Sequence, residues 1–177
     1  RTGRDFDDIA EALSDRYRVL CPDTIGRGLS QWSPAPETEY AVSFYTRLAV
    51  AFVDALGVGT MRWLGTSMGA MIGTAAAAGP LKGRISHLVL NDMGPKIGDA
   101  ALARIRAYAG SPAQFDRVSE LETYFRMIYK PFGLLTDAQW RRLAETSVRR
   151  TDGGRVTPHY DPKIVMMFDH EAELVQW

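Results

Sequence analysis

Gly65-Thr66-Ser67-Met68-Gly69 is a G-x-S-x-G pentapeptide that separates two runs of different character. Before it, Thr60-Met61-Arg62-Trp63-Leu64 is short and apolar enough for a buried strand. After it, Ala70 to Ala78 is a small-residue run that stops at Gly79-Pro80, a helix end. A strand feeding straight into a helix forces the corner residue into a strained backbone conformation. Flanking glycines let the two backbones come close. The strain lifts the serine side chain out of the sheet, and the helix N-terminus aims its N–H groups at whatever the serine attacks.

Outward from this corner the pattern alternates. Asp5 to Ser14 reads as a helix with Phe6, Ile9, Ala10 and Leu13 on one face. Tyr17 to Cys21 reads as a short strand closed by Pro22-Asp23, and Thr24 to Pro36 as a loop. Tyr40 to Leu56 is an amphipathic helix with Phe44, Leu48, Phe52 and Leu56 at spacings of four, closed by Gly57. Ile85 to Leu90 makes a third strand. Strands alternating with helices imply a mostly parallel sheet with helices on both faces, an α/β fold.

After Asn91-Asp92-Met93-Gly94-Pro95 the strand signals stop. Ala100 to Tyr108 is helical. Ser119-Glu120-Leu121-Glu122 and Thr136-Asp137-Ala138-Gln139 read as capping boxes, opening helices towards Tyr129 and Val148. Asp152-Gly153-Gly154 is a turn. Residues 1–95 are therefore expected to form a core, and residues 96–177 an inserted helical cap.

Composition excludes several classes of function. The 177 residues carry 21 basic and 21 acidic side chains, with 46% hydrophobic and 24% charged residues. This is an ordinary globular balance, with no charge run pointing to nucleic acid or an anionic membrane. The apolar stretch from Met68 to Leu81 is too short and too rich in Gly and Ala to span a bilayer. The single cysteine, Cys21, excludes an internal disulfide and fits a reducing, cytoplasmic compartment. Its setting in Val19-Leu20-Cys21 predicts a buried core thiol.

Arg18-Val19-Leu20-Cys21-Pro22-Asp23, followed by Gly26-Arg27-Gly28-Leu29-Ser30, looks like the fourth strand of the α/β-hydrolase superfamily and its D-x-x-G-x-G-x-S loop. The Gly65–Gly69 elbow and Leu88-Val89-Leu90-Asn91-Asp92 match in order, so the resemblance covers the first 95 residues. Residues from Lys96 onward are similar to the cap that many members insert there, and Tyr160-Asp161-Pro162 is similar to a motif of bacterial esterase-like members. Gly26-x-Gly28 is not a dinucleotide fingerprint, because Gln31 stands where the third glycine belongs.

The resemblance implies nucleophilic acyl transfer without cofactor or metal. Ser67 would attack a carbonyl, and the backbone N–H of Met68 would form half of an oxyanion hole, a donor worth on the order of 3 kcal/mol. Family chain order places acid and histidine after the serine. Asp92 is a possible acid, or an aspartate satisfying turn N–H groups. His87 falls near the start of its strand, away from the carboxyl end where such sites gather. His159 and His170 fall in the helical region. The acid and the histidine are thus expected outside this sequence. The third strand of the family, which separates its fourth and fifth, is also absent. An internal segment of a protein of roughly 250 to 290 residues is the expectation.

Three readings stay open: a serine hydrolase acting on a small ester, thioester or lactone; C–C bond hydrolysis, acyl transfer or peroxidase-like chemistry on the same fold; and a catalytically silent binding protein. The expected partner is a small molecule with an apolar part. Tyr108, Phe115, Tyr124, Phe125, Met127, Tyr129, Phe132 and Trp140 are available to meet it, although most are expected in packing.

Overall fold

The computed structural model describes residues 1–94 and 98–170. In chain order its elements are α1 (Asp7–Leu13), α2 (Pro36–Glu39), α3 (Val42–Ala55), β1 (Met61–Thr66), α4 (Met68–Ala78), β2 (Ile85–Asn91), α5 (Asp99–Ala109), α6 (Val118–Ile128), α7 (Asp137–Thr146), β3 (Val148–Arg150) and β4 (Val156–Pro158). Short 3-10 helices occupy Gly3–Phe6, Lys130–Phe132 and Pro162–Asp169. The chain groups into two compact units, one of residues 1–32 and 111–162, the other of residues 33–110 and 163–177.

The second unit holds the α/β layer. β1 and β2 pair in parallel, with Gly65 opposite Leu90 and Thr66 opposite Asn91. A parallel pair needs a crossover, and α4 supplies it. Val53 from α3, Ala76 from α4 and Leu81 form a buried cluster against Val50, Val58, Met61 and Ile85. Burying each large apolar side chain contributes about 1.5–3 kcal/mol. α3 ends in a Schellman motif: Gly57 takes φ 65°, its N–H donates to the Asp54 carbonyl at 3.0 Å, and the Val58 N–H donates to the Val53 carbonyl at 3.0 Å. Arg84 then clamps the loop, donating to the Gly59 carbonyl (3.2 Å), the Val58 carbonyl (2.6 Å) and Asp54 (2.7 Å).

The first unit packs α6 and α7 with the β3–β4 hairpin. Leu121, Phe125, Trp140, Leu143, Ala144 and Val156 are buried. Phe125 lies 5.1 Å from the Tyr129 ring, which stacks on Phe132 at 4.8 Å. Most of the aromatics considered for ligand contact thus meet one another, while Phe132 and Met127 stay exposed.

Several expectations are corrected. Residues 17–21 form no strand and Cys21 is exposed. With no ladder partner among the described residues, this run has no sheet to bury it. The buried face of α3 is Val42, Tyr45, Thr46 and Val53, while Leu48 and Phe52 are exposed. At 100° per residue a spacing of four drifts 40° each step, so the stripe from Phe44 to Leu56 wanders off one face, whereas i, i+3, i+4, i+11 holds it. α6 starts at Val118, not after Ser119. The carboxylate that reaches back is Glu120, accepting from the N–H of Asp116 (3.0 Å) and Arg117 (3.3 Å). Glu122 instead pairs with Arg126 at 2.6 Å. The box at Thr136 and Gln139 forms as expected. The Asp152–Gly154 turn joins two short strands, β3 and β4, where none was expected.

Candidate functional site

Ser67 is the single residue between the end of β1 and the start of α4. Its backbone has φ 52° and ψ −115°, and among the described residues only Asp92 shares a positive φ without being glycine. Such conformations cost of order 1–3 kcal/mol and persist only where the surroundings fix them. Here the Ser67 N–H donates to the Asn91 carbonyl at 3.0 Å, tying the corner to β2. The Ser67 carbonyl accepts from Ala70 (2.9 Å) and Met71 (3.1 Å), starting α4. The residue itself is exposed.

Close approach explains Gly65. A Cβ there would stand 2.2 Å from the Gly69 carbonyl oxygen, a backbone atom. At Gly69 a Cβ would meet nothing within 4 Å, so steric need among the described residues is confined to the first glycine. Two positioning residues carried no sequence signal. The Trp63 indole N–H donates to the Gly69 carbonyl at 2.9 Å, and the Asn91 side chain donates to Thr66 Oγ1 at 3.2 Å. Met68 opens α4, half-buried, and its backbone N–H belongs to the first turn, where α-helical N–H groups lack an intrahelical acceptor.

Asp92 follows β2 with φ 51° and is exposed. Because Thr66 and Asn91 are register partners, Ser67 and Asp92 leave the carboxyl ends of adjacent parallel strands side by side in register. This is the end of an α/β sheet at which ligands bind. His87 stands opposite Arg62, towards the other end of β2, with Nδ1 3.2 Å from Ser86 Oγ. His170 Nε2 lies 3.1 Å from the Glu37 carbonyl.

In the other unit, Asp23 organises the D-x-x-G-x-G-x-S loop. Its carboxylate accepts from the N–H of Gly3 (2.7 Å) and Leu29 (2.9 Å), and its carbonyl from Ser30 Oγ (2.7 Å). Gly28 takes φ 54°, and a Cβ there would overlap the Asp23 carboxylate at 2.1 Å. The loop joins the Tyr160-Asp161-Pro162 motif: Gly28 N–H donates to the His159 carbonyl (3.0 Å), and Asp161 N–H to the Gly26 carbonyl (2.8 Å). His159 follows β4 rather than sitting on a helix, and its N–H donates to the Ser147 carbonyl at 2.7 Å. Burial, then Arg149, holds its imidazole below the usual pKa, with Asp23 opposing. Cys21, Asp23, Thr146 and His159 line a cavity of about 380 Å³ in this unit. Burial, with Asp7, pushes the Cys21 thiol up, away from nucleophile behaviour.

Among the described residues no three His, Cys, Asp or Glu side chains are grouped to hold a metal ion. No helix among them is long and apolar enough to cross a membrane.

Residues 2–140 match the family model described as alpha/beta hydrolase fold. A 3-hydroxybutyrate-oligomer hydrolase of Cupriavidus necator is 43% identical over 171 residues, covering 95% of this chain and 58% of that protein. Among solved structures, a Rickettsia typhi protein is similar with a TM-score of 0.88 and 33% identity, over 93% of this chain and 58% of that one. An alpha/beta hydrolase from Novosphingobium aromaticivorans has a TM-score of 0.81 and 32% identity, over 93% and 57%. The chain spans under two thirds of each relative's length. With a match that covers residues 2–140, most of its length, the chain belongs to the alpha/beta hydrolase fold family.

Proposed function

We propose that this chain is the nucleophile-bearing part of a serine ester hydrolase. Ser67 Oγ adds to the ester carbonyl carbon, and a general base takes its proton. The tetrahedral intermediate collapses, the protonated base gives its proton to the departing alcohol, and water then cleaves the acyl-Ser67 ester to the free acid. The Met68 backbone N–H contributes to the oxyanion hole, and Gly65 and Gly69 flank the corner. The observation that carries this reading is the backbone of Ser67, at φ 52° and ψ −115° between a strand and a helix. Strain of this kind costs stability and is expected where function requires it.

Residues 1–95 supply the core in this reading and residues 96–177 an inserted helical cap. The substrate class is a short hydroxyacyl ester, by likeness to the 43% identical hydrolase of 3-hydroxybutyrate oligomers. A small molecule with an apolar part remains the partner, and the reaction needs no cofactor.

The test is hydrolysis of 3-hydroxybutyrate dimer and trimer by the full-length protein, with p-nitrophenyl butyrate for comparison. Turnover of the oligomers that falls by about a thousandfold or more in Ser67→Ala is the expected result. Cleavage of a C–C bonded ketone without ester cleavage would favour the alternative chemistry instead.

A further inference from the structure

Asp92 is the first residue past β2, and its backbone has φ 51°. Glycines apart, only Ser67 shares that left-handed region among the described residues. The two belong to the same compact unit and are neighbours within it. Thr66 and Asn91 are register partners, and the Ser67 N–H donates to the Asn91 carbonyl at 3.0 Å. The Asn91 side chain adds a bond to Thr66 Oγ1 at 3.2 Å. These contacts hold the step from Asn91 to Asp92 against the step from Thr66 to Ser67.

A left-handed backbone is open to glycine and costs most other residues energy. Aspartate is one of those that tolerate it, because its carboxylate commonly bonds a nearby turn N–H. An aspartate kept here to satisfy the turn would show that bond. The Asp92 carboxylate has no hydrogen-bond or ion-pair partner among the described residues, and the residue is exposed. It is a charged acceptor at the carboxyl end of the sheet, one strand from the serine, where glycine would meet the demand of the backbone at lower cost.

A base that takes the proton of a serine hydroxyl becomes positively charged. A carboxylate beside that base orients it before the reaction and stabilises its charge during it, keeping its own negative charge throughout. We infer that Asp92 is this carboxylate, a positioning residue that accepts a hydrogen bond from the N–H of the imidazole base serving Ser67. The inference rests on the ester-hydrolase reading above. It puts the acid at the end of β2, inside this sequence, where the family chain order had suggested one beyond it.

The experiment is hydrolysis of p-nitrophenyl butyrate by the full-length protein and its Asp92→Gly and Asp92→Asn variants from pH 5 to 8, with chemical denaturation alongside. Glycine suits the left-handed backbone, so Asp92→Gly should unfold at a denaturant concentration close to that of the parent. Its kcat should nevertheless fall by about a thousandfold or more, with KM changed far less. Added sodium formate should restore part of the lost rate in Asp92→Gly and do nothing for the parent. In Asp92→Asn the acid limb of kcat/KM should move to lower pH, because the imidazolium has lost its counter-charge. Asparagine tolerates the same backbone, so this variant decides the matter should the glycine variant fail to fold. A folded Asp92 variant as active as the parent would overturn the inference and leave the Ser67 chemistry standing. So would a loss that formate leaves untouched and that comes with no shift of the acid limb, the mark of a purely structural role. A parent that cleaves no ester overturns the proposed function, and this inference with it.

Discussion

The Trp63 indole N–H donates to the Gly69 carbonyl at 2.9 Å, so a side chain on β1 fixes the backbone two residues beyond Ser67. The same ring fills the space where a Cβ at Gly73 would come, 2.4 Å from Trp63 Nε1. One tryptophan therefore ties the first two turns of α4 to the strand before it. Trp63→Phe should lose about 1 kcal/mol or more, since the Gly69 carbonyl loses its donor. Activity should fall with it, because the corner is less firmly held. Chemical denaturation and ester assay on the same preparation check both.

Gly73→Ala should destabilise by about 1–3 kcal/mol, as overpacking does when a rigid ring must move. The added methyl meets Trp63 at a ring edge, not at a flexible side-chain end. In helix interiors Ala is otherwise preferred over Gly by about 1 kcal/mol, so the sign itself is diagnostic. A Gly73→Ala protein as stable as the parent would contradict the packing.

Asp23→Ala should cost about 1–3 kcal/mol, leaving the N–H groups of Gly3 and Leu29 without their acceptor. Asp23→Asn keeps one acceptor oxygen and should fall between. Urea midpoints measure the order. A silent Asp23→Ala would remove the residue from its place as organiser of the loop.

At α6 the carboxylate that closes the N-terminus is Glu120, not a partner of Ser119. Glu120→Ala should lose about 0.5–2 kcal/mol, the range for a lost cap, while Ser119→Ala should change almost nothing. Thermal unfolding of the two variants decides between the observed start of the helix and the one two residues later.

Burial, and after it the Arg149 charge, lower the pKa of His159. Its folded pKa lies below its unfolded value, so the folded state binds fewer protons and stability rises with pH across that interval. Stability should thus be complete above about pH 6.5 and decline as pH falls below it. His159→Gln should flatten that decline. Denaturant midpoints from pH 5 to 8, with the imidazole followed by NMR, measure both. A folded His159 titrating at the usual value would remove the effect, and one titrating above it would reverse the sign.

What was legible in the sequence is what local chemistry decides. The strand, serine, helix and strand from Met61 to Asn91 are announced by short apolar runs and by Gly57 and Gly79 as stops. Thr136 and Gln139 cap α7 because both side chains lie within reach along the chain. What escaped depends on contacts distant in sequence. The strand expected at Tyr17–Cys21 has apolar residues in plenty but no ladder partner among the described residues. The hairpin was missed because β3 and β4 are three residues each, although Val148, Val156 and Thr157 flank an Asp-Gly-Gly turn. Trp63 takes its role from the fold, since nothing in a lone tryptophan foretells a Gly69 carbonyl.

The most direct measurement of the central claim is fluorophosphonate labelling of the full-length protein, with the adduct located by mass spectrometry. The account predicts one adduct, on Ser67, that disappears in a folded Ser67→Ala protein. An adduct on another serine, or labelling that persists in Ser67→Ala, would contradict it.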